Sequence, residues 1–141
     1  MPKTAAIRIH LNKFRPLGSV VACSASMELA DSGEGAVSLS GKNLILKRPG
    51  ANEEAEVDLA FFLDATNYVL LGITFSRTDG ADVGQTEFPK VVIETVSPDR
   101  KMTVCDMRQT VANYDYAILV QEVATGLVGL IDPEIENTNQ E

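Results

Sequence analysis

Apolar residues recur at every second position through much of the chain. Residues 5 to 12 set Ala5, Ile7, Ile9 and Leu11 against Ala6, Arg8, His10 and Asn12, the period of a half-buried strand with His10 on its polar side. Phe14-Arg15-Pro16-Leu17-Gly18 interrupts the pattern, and Ser19 to Ser26 resumes it with β-branched and small residues, predicting a second strand. Asp31-Ser32-Gly33-Glu34-Gly35 reads as a loop. Asn43 to Arg48 reads as a short strand, with Leu44 and Leu46 on one face and Ile45 on the other, ended by Pro49-Gly50. From Glu56 to Asp64 the residues Val57, Leu59, Phe61 and Leu63 again fall two apart. One helical turn fits that tract, but the alternation favours a strand.

Tyr68 to Phe75 is almost continuously apolar, the signature of a central strand covered on both faces, and Arg77-Thr78-Asp79-Gly80-Ala81-Asp82-Val83-Gly84 closes it with turn residues. Lys90 to Val96 alternates weakly after Pro89, and Ser97-Pro98-Asp99-Arg100 is a turn. Met102, Val104 and Met107 mark a further strand. Tyr114 to Val123, Ala124-Thr125-Gly126 and Leu127 to Ile131 then form a hairpin, and the tail from Glu136 to Glu141 is polar. About 8 to 10 short strands without a long 3.6-period segment predict an all-β fold, an antiparallel β-sandwich.

If Val123 faces Leu127 across a three-residue turn, Asp132 lies opposite Ile118 and Glu134 opposite Tyr116. Tyr116 is then the diagonal neighbour of Asp132 on one face, and Asp115 points to the other face with Pro133. A register one residue out exchanges the two roles.

The chain has 141 residues, 45% of them hydrophobic and 23% charged, which fits one domain with a core of its own. Twelve basic against twenty acidic residues leave a net charge of -8, which repels phosphate backbones and anionic lipid. No apolar run approaches the ~20 residues of a membrane helix. Met1-Pro2-Lys3-Thr4 opens no signal-peptide core, so no nucleic-acid or membrane partner and a cytoplasmic location are expected. Cys23 and Cys105 lack CxxC spacing and read as buried small apolar residues. One histidine, His10, offers no zinc cluster, and no metal is expected. Gly35 to Gly41 is one residue too long for a phosphate loop, and Asp79 and Asp82 lack the ligand pattern of a calcium loop.

The remaining chemistry sits at Asp132-Pro133, where a hydrophobic strand runs into an unusually labile peptide bond. The aspartyl carboxyl reaches its own carbonyl through a five-membered ring, and the proline nitrogen leaves as a basic secondary amine. Nucleophile and scissile group are therefore covalently adjacent, and base for a water is the other role open to the Asp132 carboxyl. A neighbouring acid or phenol, Tyr116, Asp115 or Glu134, is the expected proton donor to that nitrogen. A raised carboxyl pKa, supplied by burial beside Ile118 and Leu130, would suit neutral pH.

Asp132-Pro133-Glu134-Ile135 near the end of a strand-rich, acidic chain resembles the DP-EP family, described as self-cleaving, self-assembling endopeptidases with a β-sandwich fold. The resemblance implies autoproteolysis between Asp132 and Pro133. It divides the chain into a domain, residues 1 to 132, and a nine-residue segment, 133 to 141, expected to stay within the fold after release. No cofactor is implied, and the expected partner is the protein itself, as intramolecular substrate and as homo-oligomer. Capture of the activated aspartyl group by a lysine would give an isopeptide. No lysine lies between Lys101 and Asp132, so Lys101 or Lys90 is the nearest candidate in sequence. The alternative is a non-enzymatic β-sandwich that binds a partner or self-associates through an edge strand, with Asp-Pro as an inert terminus.

Overall fold

The computed structural model describes residues 2–18, 20–41, 43–78, 87–94, 100–108, 112–132 and 134–137. The expected turns over Asp79–Gly84 and Ser97–Asp99, Pro133 and the end of the polar tail lie outside them. Within them the protein is all-β, with eleven strands: β1 (Lys3–Leu17), β2 (Val20–Asp31), β3 (Val37–Ser40), β4 (Asn43–Leu46), β5 (Val57–Leu63), β6 (Tyr68–Arg77), β7 (Lys90–Glu94), β8 (Lys101–Asp106), β9 (Ala112–Glu122), β10 (Val128–Ile131) and β11 (Glu134–Asn137).

The strands form two sheets. One has the order β2-β1-β5-β8-β7, and the other runs β10-β9-β11-β4-β3 with β6 also paired to β9. Because β6 pairs with β9 from Tyr114 to Glu122, β10 and β11 share its opposite edge. The alternating residues Ala5, Ile7 and Ile9, and Val57, Leu59 and Phe61, turn inward as their spacing predicts. They meet Tyr114, Tyr116, Ile118 and Val120 of β9 in one core, to which Leu44 and Leu46 also belong. Phe61 and Tyr116 bring the sheets together with ring centroids 6.1 Å apart.

Several expectations need correction. The pairing is mixed, since β1 runs parallel to β5 and β11 parallel to β4. Alternation reports which face is buried but not strand direction, and both parallel pairs join segments distant in sequence. The break at Phe14–Gly18 is absent up to Leu17, and Pro16 lies within β1 opposite Val21. It is tolerated because β5 pairs only Lys3 to Ile9, leaving that edge of β1 without a strand that needs its N–H among the described residues. β6 is neither central nor covered on both faces: among the described residues it pairs only with β9, and Leu71, beside a bulge between Leu70 and Gly72, is 41% exposed. The short V-S-L-S of β3 lies in a stretch from which no strand was expected.

Candidate cleavage site

Asp132 directly follows the β9–β10 hairpin, whose geometry differs from expectation by one residue. Val128 faces Gln121 and Ile131 faces Ile118. The loop is longer because the Val123 amide donates to Asn67 O at 3.0 Å, in the β5–β6 connection, instead of closing the hairpin. The closing bond is Glu122 N to Leu127 O at 2.9 Å, and Gly126 N donates to Glu122 O at 2.8 Å. Gly126 takes φ 74°, the left-handed conformation glycine tolerates. Side chains fix the rest: Gln121 Nε2 donates to Gly126 O at 3.0 Å, and Thr125 Oγ1 donates to a Glu122 carboxylate oxygen at 2.7 Å.

That shift exchanges the faces. Ile131 is buried beside Ile118 while Asp132 is exposed, so its carboxyl belongs to the outer face and not to the pocket beside Ile118 and Leu130 that was expected. Leu130 itself is 55% exposed. Tyr116 turns inward, 1% exposed, and its hydroxyl donates to Met27 Sδ at 3.7 Å across the core. Burial pushes the phenol well above its ordinary pKa, making it a poorer acid. Asp115 is exposed, and the backbone of Glu134 lies opposite it. Asp115 therefore replaces Tyr116 as the diagonal neighbour of Asp132 on one face.

β10 and β11 run in line along one edge of β9, with the same register on both sides of Asp132 and Pro133. β11 is held on its other edge by β4, where Ile135, Glu136 and Asn137 face Leu44, Ile45 and Leu46. Pro133 and the side chain of Glu134 lie outside the described residues. Lys101 and Lys90 sit in the other sheet, opposite Glu94 and Cys105 respectively. Lys101 lines a cavity of about 340 Å³ with Arg100, Glu94, Phe62 and Tyr68, and neither lysine is brought into the β9–β10 ladder.

Behind the hairpin, the sheets approach closely at Gly129. A Cβ there would stand 2.9 Å from both Cys23 Cβ and Phe14 Cε2. Cys23 and Cys105 are free thiols, and burial first, then the Glu56 charge, pushes Cys105 up to about 11. His10, on the polar side of its strand as expected, is also clasped by two carboxylates: Asp64 Oδ2 lies 2.5 Å from Nδ1 and Glu28 Oε2 2.9 Å from Nε2. Those partners are 54 and 18 residues away, which no local pattern reveals. Arg108 is a second unforeseen centre. Its guanidinium, 2% exposed, donates to the carbonyls of Lys47, Glu54 and Ala55 and to Glu53 Oε1, tying down the β4–β5 connection.

No protein-family model matches the chain, and no curated protein sequence matches it. Among solved structures, the PixA inclusion body protein of Burkholderia cenocepacia has a similar fold, with a TM-score of 0.55 over 97% of this chain and 96% of that one. The two are 11% identical, so the likeness is one of fold.

Proposed function

We propose that the protein is a β-sandwich that hydrolyses its own Asp132-Pro133 bond. The observation that carries the reading is that β10 and β11, which flank this bond in sequence, are both hydrogen-bonded to β9 in one register. Both flanks are held, so attack of the Asp132 carboxylate on its own carbonyl carbon starts from a restricted set of conformations. The carboxylate oxygen bonds to that carbon, the C–N bond breaks, and the proline nitrogen takes a proton and leaves. Water then opens the cyclic anhydride, for a net gain of one water. Asp115, on the same outer face, is the donor this register favours. An isopeptide to Lys101 or Lys90 receives no support from their positions. Pairing of β11 with both β9 and β4 supports retention of residues 133 to 141 after cleavage.

Intact mass after incubation of the purified protein tests the reading. The expected products are residues 1 to 132 and a nine-residue peptide, both lost in Asp132→Ala and Asp132→Asn. A full-length mass that persists in the native protein, or cleavage that persists in Asp132→Ala, overturns it. A second reading, a non-enzymatic self-associating sandwich, is favoured by Val128 and Leu130, 40% and 55% exposed on β10, and by the fold shared with an inclusion body protein. Uncleaved protein that forms oligomers would support that reading instead.

A further inference from the structure

The β5–β6 connection crosses from one sheet to the other, because β5 pairs with β1 and β8 whereas β6 pairs with β9. It is tied at both ends: Asp64 N donates to Ile9 O at 3.1 Å, and Val123 N donates to Asn67 O at 3.0 Å. Tyr68, the first residue of β6, is held by its hydroxyl on Glu122 Oε2 at 3.1 Å and by its ring against Phe14, with centroids 5.0 Å apart. This fixed crossing lines the cavity of about 340 Å³, to which Leu63, Tyr68 and Leu70 supply apolar wall. Further lining comes from the ends of β7 and β8, where Glu94 faces Lys101 and Arg100 directly precedes β8. Two cations against one carboxylate leave a single positive charge in excess there, in a protein whose net charge is -8. Arg100 Nη1 donates to Thr66 O at a long 3.4 Å, the one hydrogen bond of its guanidinium among the described residues, and Lys101 makes no ion pair among them. Donors on both side chains are therefore open to a ligand.

We propose that this cavity binds a small amphipathic carboxylate, its apolar body against Leu63, Tyr68 and Leu70 and its carboxylate taken by Arg100 and Lys101. Preformed apolar walls with a few fixed polar groups are what small-molecule sites offer, and the volume lies near the lower end of their ~300–1,000 Å³ range. A planar guanidinium matches a carboxylate in shape, and the neighbouring ammonium adds a second charge-assisted donor. The single excess charge suits a monoanion. A phosphate monoester would bring a further negative charge against Glu94 and would leave the apolar wall less well used. Binding in this cavity is independent of hydrolysis at Asp132-Pro133.

An NMR titration of the isotope-labelled protein with phenylbutyrate, and with phenylbutanol as its uncharged counterpart, tests the site. The expected result is saturable amide shifts clustered at Leu63, Tyr68, Leu70 and Lys101, with the acid bound about tenfold more tightly than the alcohol. The double variant Arg100→Gln, Lys101→Gln should lose that preference, weakening the acid about tenfold and leaving the alcohol within about twofold. Glu94→Gln removes the opposing carboxylate and should tighten the acid by about two- to threefold. Ala65 also lines the cavity, so Ala65→Phe puts a ring into it and should weaken acid and alcohol alike. Thermal transitions of the variants report that each is folded, and the charge variants alter an exposed arginine and a half-buried lysine rather than the core. The absence of saturable shifts at these residues up to millimolar phenylbutyrate overturns the proposal. So does an acid affinity unchanged in the double variant, or binding that persists in folded Ala65→Phe, which would put the ligand elsewhere.

Discussion

Glu134 faces Asp115 across the β11–β9 ladder, in the register that places Ile131 opposite Ile118. Two flanking pairs therefore bracket the Asp-Pro bond, and the strand alternation they share puts Asp132 and Asp115 on the outer face with Tyr116 beneath them in the core. For the proposed self-cleavage, this register favours Asp115 over Tyr116 as proton donor. Asp115→Asn is expected to slow self-cleavage by about 100 to 10,000-fold, the usual contribution of one general acid. Tyr116→Phe removes only a hydroxyl bonded to Met27 Sδ and should leave the rate within about twofold. Fragment yield against time, by mass spectrometry, checks both; a slow Tyr116→Phe would return the role to the phenol.

The carboxylate clasp on His10 gives stability a pH dependence of definite sign. Both ring nitrogens face carboxylates, which only accept, so both donate only when the ring is an imidazolium. The bond to Glu28 and then that to Asp64 raise the folded pKa above the ordinary 6.5, with Arg8 also beside Glu28. The clasp's contribution is complete below the unfolded value of about 6.5 and is lost as pH rises through the higher folded value. Urea midpoints of the native protein and His10→Gln should differ most near pH 5.5 and converge in alkali. A difference that grows with pH would assign the wrong sign.

Two glycines in the six-stranded sheet should respond oppositely to a methyl group. At Gly129 the added carbon meets the half-buried Cys23 and Phe14 at 2.9 Å, so Gly129→Ala is expected to cost about 1 to 3 kcal/mol by forcing the sheets apart. At Gly72 nothing lies within 4 Å, and Gly72→Ala is expected to be neutral or to stabilise by about 0.4 to 1 kcal/mol. Thermal denaturation of the pair separates close approach from the general effect of losing a glycine.

Much of the strand layout was legible because it depends on neighbours in sequence. Ala5, Ile7 and Ile9 and then Val57, Leu59 and Phe61 declare their buried face by period two, and that face is the one the core uses. What escaped depends on distant partners. The hairpin register turned on one bond from Val123 to Asn67, which no turn rule contains. The second half of β11, Glu136 and Asn137, reads as polar tail because its ladder is supplied by β9 and β4. The Asp-Pro dipeptide was visible at once, but the face its carboxyl takes was not, because period two converts a one-residue error into the opposite side of the sheet.

Whether the fold or the dipeptide alone would drive the proposed hydrolysis is open to a direct comparison. An unstructured Asp-Pro bond needs its carboxyl ionised and its proline nitrogen protonated together, and with no group held nearby it reacts appreciably only in hot acid. In the folded chain, pairing of β10 and β11 with β9 fixes both flanks and sets Asp115 diagonal to Asp132. Cleavage is therefore expected at mild pH and ambient temperature in the folded protein. It should stop in urea and be absent from a synthetic peptide spanning Gly126 to Glu141. Ile118→Asp, which places a charge at a fully buried position opposite Ile131, should abolish cleavage by disrupting the ladder even though the dipeptide is untouched. Mass spectrometry of the four samples in one buffer decides the matter. Equal rates in peptide and folded protein would reduce the chemistry to bond lability, whereas loss in urea and in Ile118→Asp would assign it to the β9 ladder.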